Sequence, residues 1–111
     1  MKRTIIRSSM ASDLISPLLD NEFEHGYISI KFYTDGTYSE LVAPESGVAI
    51  FTGSEDGEIY GSISNGALDA EIVGVGLNYS RPTYSGDVRY IKVEFESIVG
   101  ASHAQVMISQ Y

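Results

Sequence analysis

Three stretches of this chain alternate apolar and polar residues with a period of two, and that period limits the fold more than any other feature. In "YISIKFY" (27–33), Ile28, Ile30 and Phe32 share one face, while Tyr27, Ser29, Lys31 and Tyr33 share the other. In "VRYIKVEFES", Ile91, Val93 and Phe95 alternate with Tyr90, Lys92, Glu94 and Glu96. In "HAQVMIS", Ala104, Val106 and Ile108 alternate with His103, Gln105, Met107 and Ser109. Such segments are half-buried strands, one face on a core and one on water.

Punctuation between the strands supports the same class. Asp35-Gly36, Asp56-Gly57 and Asn65-Gly66 are hairpin-type dipeptides. The first predicts a hairpin in which "TYSELV" returns along 27–33. "VAIFTG" (48–53) and "ALDAEIVGVG" (67–76) read as further strands, Gly74 and Gly76 loosening the end of the second. The last two strands, joined by the short "IVGAS", are expected to be antiparallel neighbours. Roughly seven or eight short strands at this spacing predict an all-β antiparallel sandwich or jelly roll. The 111 residues suffice for one such domain, placed at 23–111.

Residues 1–22 read differently. They mix Ser, Asp and short apolar pieces without a sustained period and are expected to form an extended N-terminal arm. "TIIRSS" is a possible short strand, and "SDLISPLLDN" a single helical turn that Pro17 interrupts. Charge separates this segment further. Lys2, Arg3 and Arg7 precede the first acid, Asp13, whereas the rest carries four bases against fifteen acids, for a net charge of −8. An acidic protein with a cationic end is a poor partner for nucleic acid. The asymmetry points instead to a contact made by the end itself. No apolar run is long enough for a bilayer-spanning helix, and Arg7 and Asp13 interrupt the stretch a secretory signal needs.

Chemistry is sparse. The chain has no cysteine, and His25 and His103 stand apart without ligand spacing, so neither a metal site nor a cofactor is expected. "GSEDGE" (53–58) is acid-dense but lacks calcium-loop spacing and reads as a wet hairpin tip. Glu94 and Glu96 lie on the wet face of a strand. No nucleophile elbow or phosphate loop is present, and no catalytic residue is assigned. The surplus is in tyrosine, eight residues against no tryptophan, several of them on polar faces or in "NYSRPTYSGD". Exposed tyrosine suits interfaces and also sugar rings. The whole reads as a binding or assembly module rather than an enzyme, with main-chain pairing of "RTIIRSS" to a partner's sheet edge as one way to anchor.

The length, the opening "MKRTIIRSSMASDL" and the ending "GDVRYIKVEFESIVGASHAQVMISQY" resemble the capsid decoration, or staple, proteins of epsilon-fifteen-type short-tailed Salmonella phages. The resemblance implies a jelly roll like that of carbohydrate-binding modules. It implies a protein of the virion's outer surface, bound as a homodimer to the major capsid protein. There it would hold neighbouring capsomers together against the pressure of packaged DNA. Under that reading Lys2, Arg3, Ile5, Ile6 and Arg7 are the expected capsid contacts. Tyr79, Arg81 and Tyr84 are the expected dimer or second contacts. The competing expectation is a carbohydrate-binding module of a phage head or tail fibre, used in attachment to the host surface.

Overall fold

The computed structural model describes residues 1–74 and 79–111. Eight strands carry the chain: β1 (Lys2–Ser9), β2 (Leu14–Ile15), β3 (His25–Tyr33), β4 (Ser46–Ser54), β5 (Gly61–Asp69), β6 (Thr83–Ser85), β7 (Tyr90–Val99) and β8 (His103–Gln110). One helical turn, α1 (Ala70–Val73), follows β5.

The pairing has a simple logic. The chain folds into one long antiparallel ribbon in which β1 lies on β8, β2 on β7, β3 on β6 and β4 on β5. The ribbon then wraps on itself, so that β8 also meets β3, and β7 also meets β4. The resulting order is β1-β8-β3-β6-β5-β4-β7-β2. This is an eight-strand jelly roll, with β1-β8-β3-β6 as one layer and β5-β4-β7-β2 as the other.

Alternation does the burying. Ile28, Ile30, Phe32, Ala104, Val106 and Ile108 face inward from the first layer; Ala49, Phe51, Ile91 and Val93 answer from the second, each at most 1% exposed. Each Ile, Val or Phe among them, fully buried, contributes about 1.5–3 kcal/mol, which fixes each strand's register, because a one-residue slip would turn its apolar set outward.

Several sequence expectations are corrected. Residues 2–9 do not project from the body. They form β1, laddered to β8 from Lys2↔Gln110 to Ser9↔His103. Residues 12–21 form no helical turn; Leu14 and Ile15 pair with β7 instead, and Ser16 extends that contact by exchanging bonds with Ile91. The 1–22 segment is thus built into both layers.

The last two strands are not neighbours either. β7 and β8 stand in opposite layers. Their link, Gly100 (φ 94°) to Ser102, crosses the sandwich, since about three extended residues cover the ~10 Å between packed sheets. Both flanks of β8 and both flanks of β7 are taken by strands from earlier in the chain.

Asn65-Gly66 makes a bulge, not a hairpin. Between the pairs Ile50↔Ala67 and Thr52↔Ser62, β4 advances two residues and β5 five. Asn65 takes φ 56°, and a Cβ at residue 66 would stand 2.6 Å from the Phe51 carbonyl, which only glycine avoids. At this corner Ser64 pairs with Thr83 and joins the two layers.

"TYSELV" does not form a return strand; it meets β3 only at the bridge Tyr33↔Leu41. Tyr38 (φ 54°) instead turns its ring edge-on to Tyr33 and His103. In "ALDAEIVGVG" the strand stops at Asp69 and α1 follows; its end at Gly76 lies outside the described residues. Asp56-Gly57 is a turn, at the tip of the β4–β5 hairpin.

Candidate functional site

The ladders of the first layer decide which side chains share its outer face. The register sets Arg3 beside Ser109, Tyr27 and Thr83; Ile5 beside Met107 and Ser29; and Arg7 beside Gln105 and Lys31. Arg81, at the foot of β6, reaches the same face and donates from Nε to Ser29 Oγ at 3.0 Å. Four of the chain's seven basic residues therefore meet on one sheet face. The outward strand positions of that face hold no Asp or Glu, in a chain with fifteen acids.

None of the four cations has a carboxylate within ion-pair distance among the described residues; the ion pairs there are Lys2–Asp20 and Lys92–Glu94, both 3.4 Å. The opposite outer face is the reverse. Glu94, Glu96 and Asp69 point outward there, flanking Val48 and Ile50, and Lys92 over the Tyr60 ring is tied to Glu94. The sandwich is electrostatically two-sided.

Two arginines on the basic face are held in place. The Arg7 guanidinium lies 5.1 Å over the Tyr38 ring, and its Nε donates to Gln105 Oε1 at 2.8 Å. The Arg81 guanidinium lies 5.0 Å over the Tyr79 ring. Beside Arg81 runs a shallow groove of about 510 Å³ lined by Tyr27, Ser29, Thr83, Met107 and Tyr111, where the Tyr27 and Tyr111 rings stand 6.2 Å apart.

The expected contact residues divide accordingly. Arg3, Ile5 and Arg7 are exposed on the face, and Arg81 joins them across three strands. Lys2 turns aside to Asp20. Ile6 points to the interior and packs on the core.

Tyr79 and Tyr84 are corrected outright, since both are buried, at 9% and 8% exposure. The reason is the shortness of β6. It covers β3 only from His25 to Tyr27, with Pro82 O accepting from Ile28 N. Beyond that, the Tyr79 hydroxyl accepts from Ile30 N at 2.6 Å and approaches Ile30 O at 3.3 Å, standing in for a missing strand. Tyr84 lies under Gly26, where a Cβ would fall within its ring; burial pushes its hydroxyl pKa up, and Gln110 beside it pulls part of the way back.

Lys31 was not among the expected contacts. Its place on the polar side of "YISIKFY" was legible, but its neighbour Arg7 lies on a strand whose partner the sequence did not reveal.

The acid-rich stretches are turns. At 53–58 the Asp56 carboxylate accepts from Glu58 N at 2.8 Å and Ile59 N at 3.0 Å, and these bonds, with Ser54, hold its pKa below the ordinary carboxylate value. Among the described residues no three His, Asp or Glu side chains gather as a metal site would require. His25 stacks on Tyr111 and His103 Nδ1 meets Ser102 Oγ at 2.8 Å, at opposite ends of the sheet. Neither the known protein-family models nor the curated proteins match this chain.

Proposed function

We propose that this chain is a non-enzymatic docking protein of a phage virion. In this reading it decorates the outside of an icosahedral shell, as a homodimer, and staples neighbouring major capsid proteins through the outer face of β1-β8-β3-β6. The observation that carries the reading is the gathering of Arg3, Arg7, Lys31 and Arg81, all without ion-pair partners among the described residues, on a face free of acidic strand positions. An acid-free basic face on an otherwise acidic molecule repels most wrong partners and orients the right one during approach. Bridging two capsomers turns modest contacts into avidity, and preferential binding to the assembled shell stabilises it by mass action.

The test is co-sedimentation of the purified protein with shells that lack it. Saturation at a fixed ratio to capsid protein supports the reading; a folded protein left in the supernatant refutes it. The groove beside Arg81 favours one other reading, the carbohydrate-binding module of a head or tail fibre, because the Tyr27 and Tyr111 rings line it together with Arg81. Titration with host surface polysaccharide separates the two: shifts of the Tyr27 and Tyr111 ring signals support sugar binding, and unmoved signals at millimolar sugar exclude it.

A further inference from the structure

Arg7 and Arg81 come from opposite ends of the basic face, yet each is immobilised in the same way. One side of each guanidinium is covered by a tyrosine ring, Tyr38 or Tyr79. Each Nε is engaged by a side-chain oxygen of the neighbouring strand, Gln105 Oε1 or Ser29 Oγ. Among the described residues no acceptor takes the terminal Nη groups of either. Two planar forks are thus oriented in advance, with their outer N–H pairs left over. Arg7 and Ser29 lie on β1 and β3, two strand spacings apart and two residues out of register, or about 12 Å. Arg3 and Lys31 sit between and beside them without such clamps.

A steering charge needs none of this, because a mobile ammonium or guanidinium attracts an anion equally well at a distance. Fixing a guanidinium lowers the entropy cost of a two-point contact, and its fork matches a carboxylate end-on.

We infer that Arg7 and Arg81 are two bidentate carboxylate receptors, which read a pair of Asp or Glu side chains on an acidic protein surface. The inference rests on the docking reading and adds the partner's chemistry to it: two acidic residues in fixed, separate positions, rather than a diffuse negative field. Arg3 and Lys31 then supply attraction without selecting geometry.

The experiment separates shape from charge. Arg7→Lys and Arg81→Lys keep the charge and lose the fork. The probe is poly-L-glutamate, followed through the arginine Nε–Hε signals, with binding to undecorated shells measured in parallel and thermal melts as a control for folding. The expected result is a saturable shift of both signals, and an affinity about tenfold weaker for each lysine variant, the worth of one charge-assisted hydrogen bond. Arg3→Lys is expected to bind as the wild type.

Lysine variants that bind poly-L-glutamate and shells like the wild type overturn the inference while leaving the docking reading intact. Tighter saturation of the same signals by inorganic phosphate or by a phosphate polymer also overturns it, since the receptors would then be for phosphate. A wild type that binds poly-L-glutamate through both forks but no shell sustains the carboxylate receptors and removes the capsid as their target.

Discussion

Single residues close this fold at points that strand patterns do not mark. Gly26 is one. The Tyr84 ring occupies the space of a side chain there, so Gly26→Ala must displace a buried aromatic from between the layers. The expected cost is about 1–3 kcal/mol, read as a lower melting temperature, and an unchanged melt would show that the ring shifts freely. The aspartates Asp20, Asp35 and Asp56 act at the same scale. Each accepts backbone or side-chain hydrogen bonds in a turn, and each pKa lies below the ordinary 3.8. A carboxyl lowered on folding contributes stability that is complete above the unfolded value and is lost as pH falls through the folded one. The melting temperature is therefore expected to drop below about pH 4, and Asp56→Asn, which keeps an acceptor but cannot titrate, to flatten that drop. A melt independent of pH from 6 to 2.5 would contradict the turn bonds as drawn.

At the scale of elements, β1 changes what a truncation means. Read as a free arm, residues 2–8 could be removed with no effect on the body. As a strand laddered to β8 over its whole length, they cannot. Deleting residues 2–9 strips a hydrogen-bonded edge from β8 and uncovers the core near Ile6. The expected loss is about 2 kcal/mol or more, of the order of 10 °C for a domain of this size. Calorimetry checks it, and a truncated protein melting with the full chain would return β1 to the status of an arm. The same element shows what the sequence could disclose. Alternation in "YISIKFY", "VRYIKVEFES" and "HAQVMIS" is a local signal of burial, and it marked β3, β7 and β8. Pairing is not local in a jelly roll, where β1 finds its partner about a hundred residues away and β7 turns from β8 across a three-residue link. Asn65-Gly66 misled for a related reason: an Asn-Gly dipeptide serves a bulge, with Asn65 alone left-handed, as well as a hairpin, and only the corner between layers decides. Tyr79 looked like a loop aromatic because nothing local reveals that β6 starts only at Thr83, too late to cover Ile30.

For the whole molecule the consequence is a division of charge that no single segment carries. Arg3 and Arg7 were visible as a cationic start to the chain, yet their meaning changes once β8 and β3 bring Lys31 and Arg81 alongside and the second layer turns Glu94, Glu96 and Asp69 the opposite way. Such a molecule approaches an acidic surface with one face forward, and the benefit is screened as the Debye length falls from about 10 Å at 0.1 M salt to about 3 Å at 1 M. Binding to shells is therefore expected to weaken steadily with added salt. Charge reversal at exposed positions should reproduce the effect without touching the core. Arg3→Glu removes one attraction and adds one repulsion, each of about 0.2–1 kcal/mol for an exposed pair, so roughly a two- to thirtyfold loss of affinity follows. It should appear mainly as slower association, with the melting temperature unchanged. The reciprocal change on the acidic face, Glu96→Lys, should leave shell binding as it was. Equal losses from both substitutions would mean that net charge, and not this face, governs the encounter.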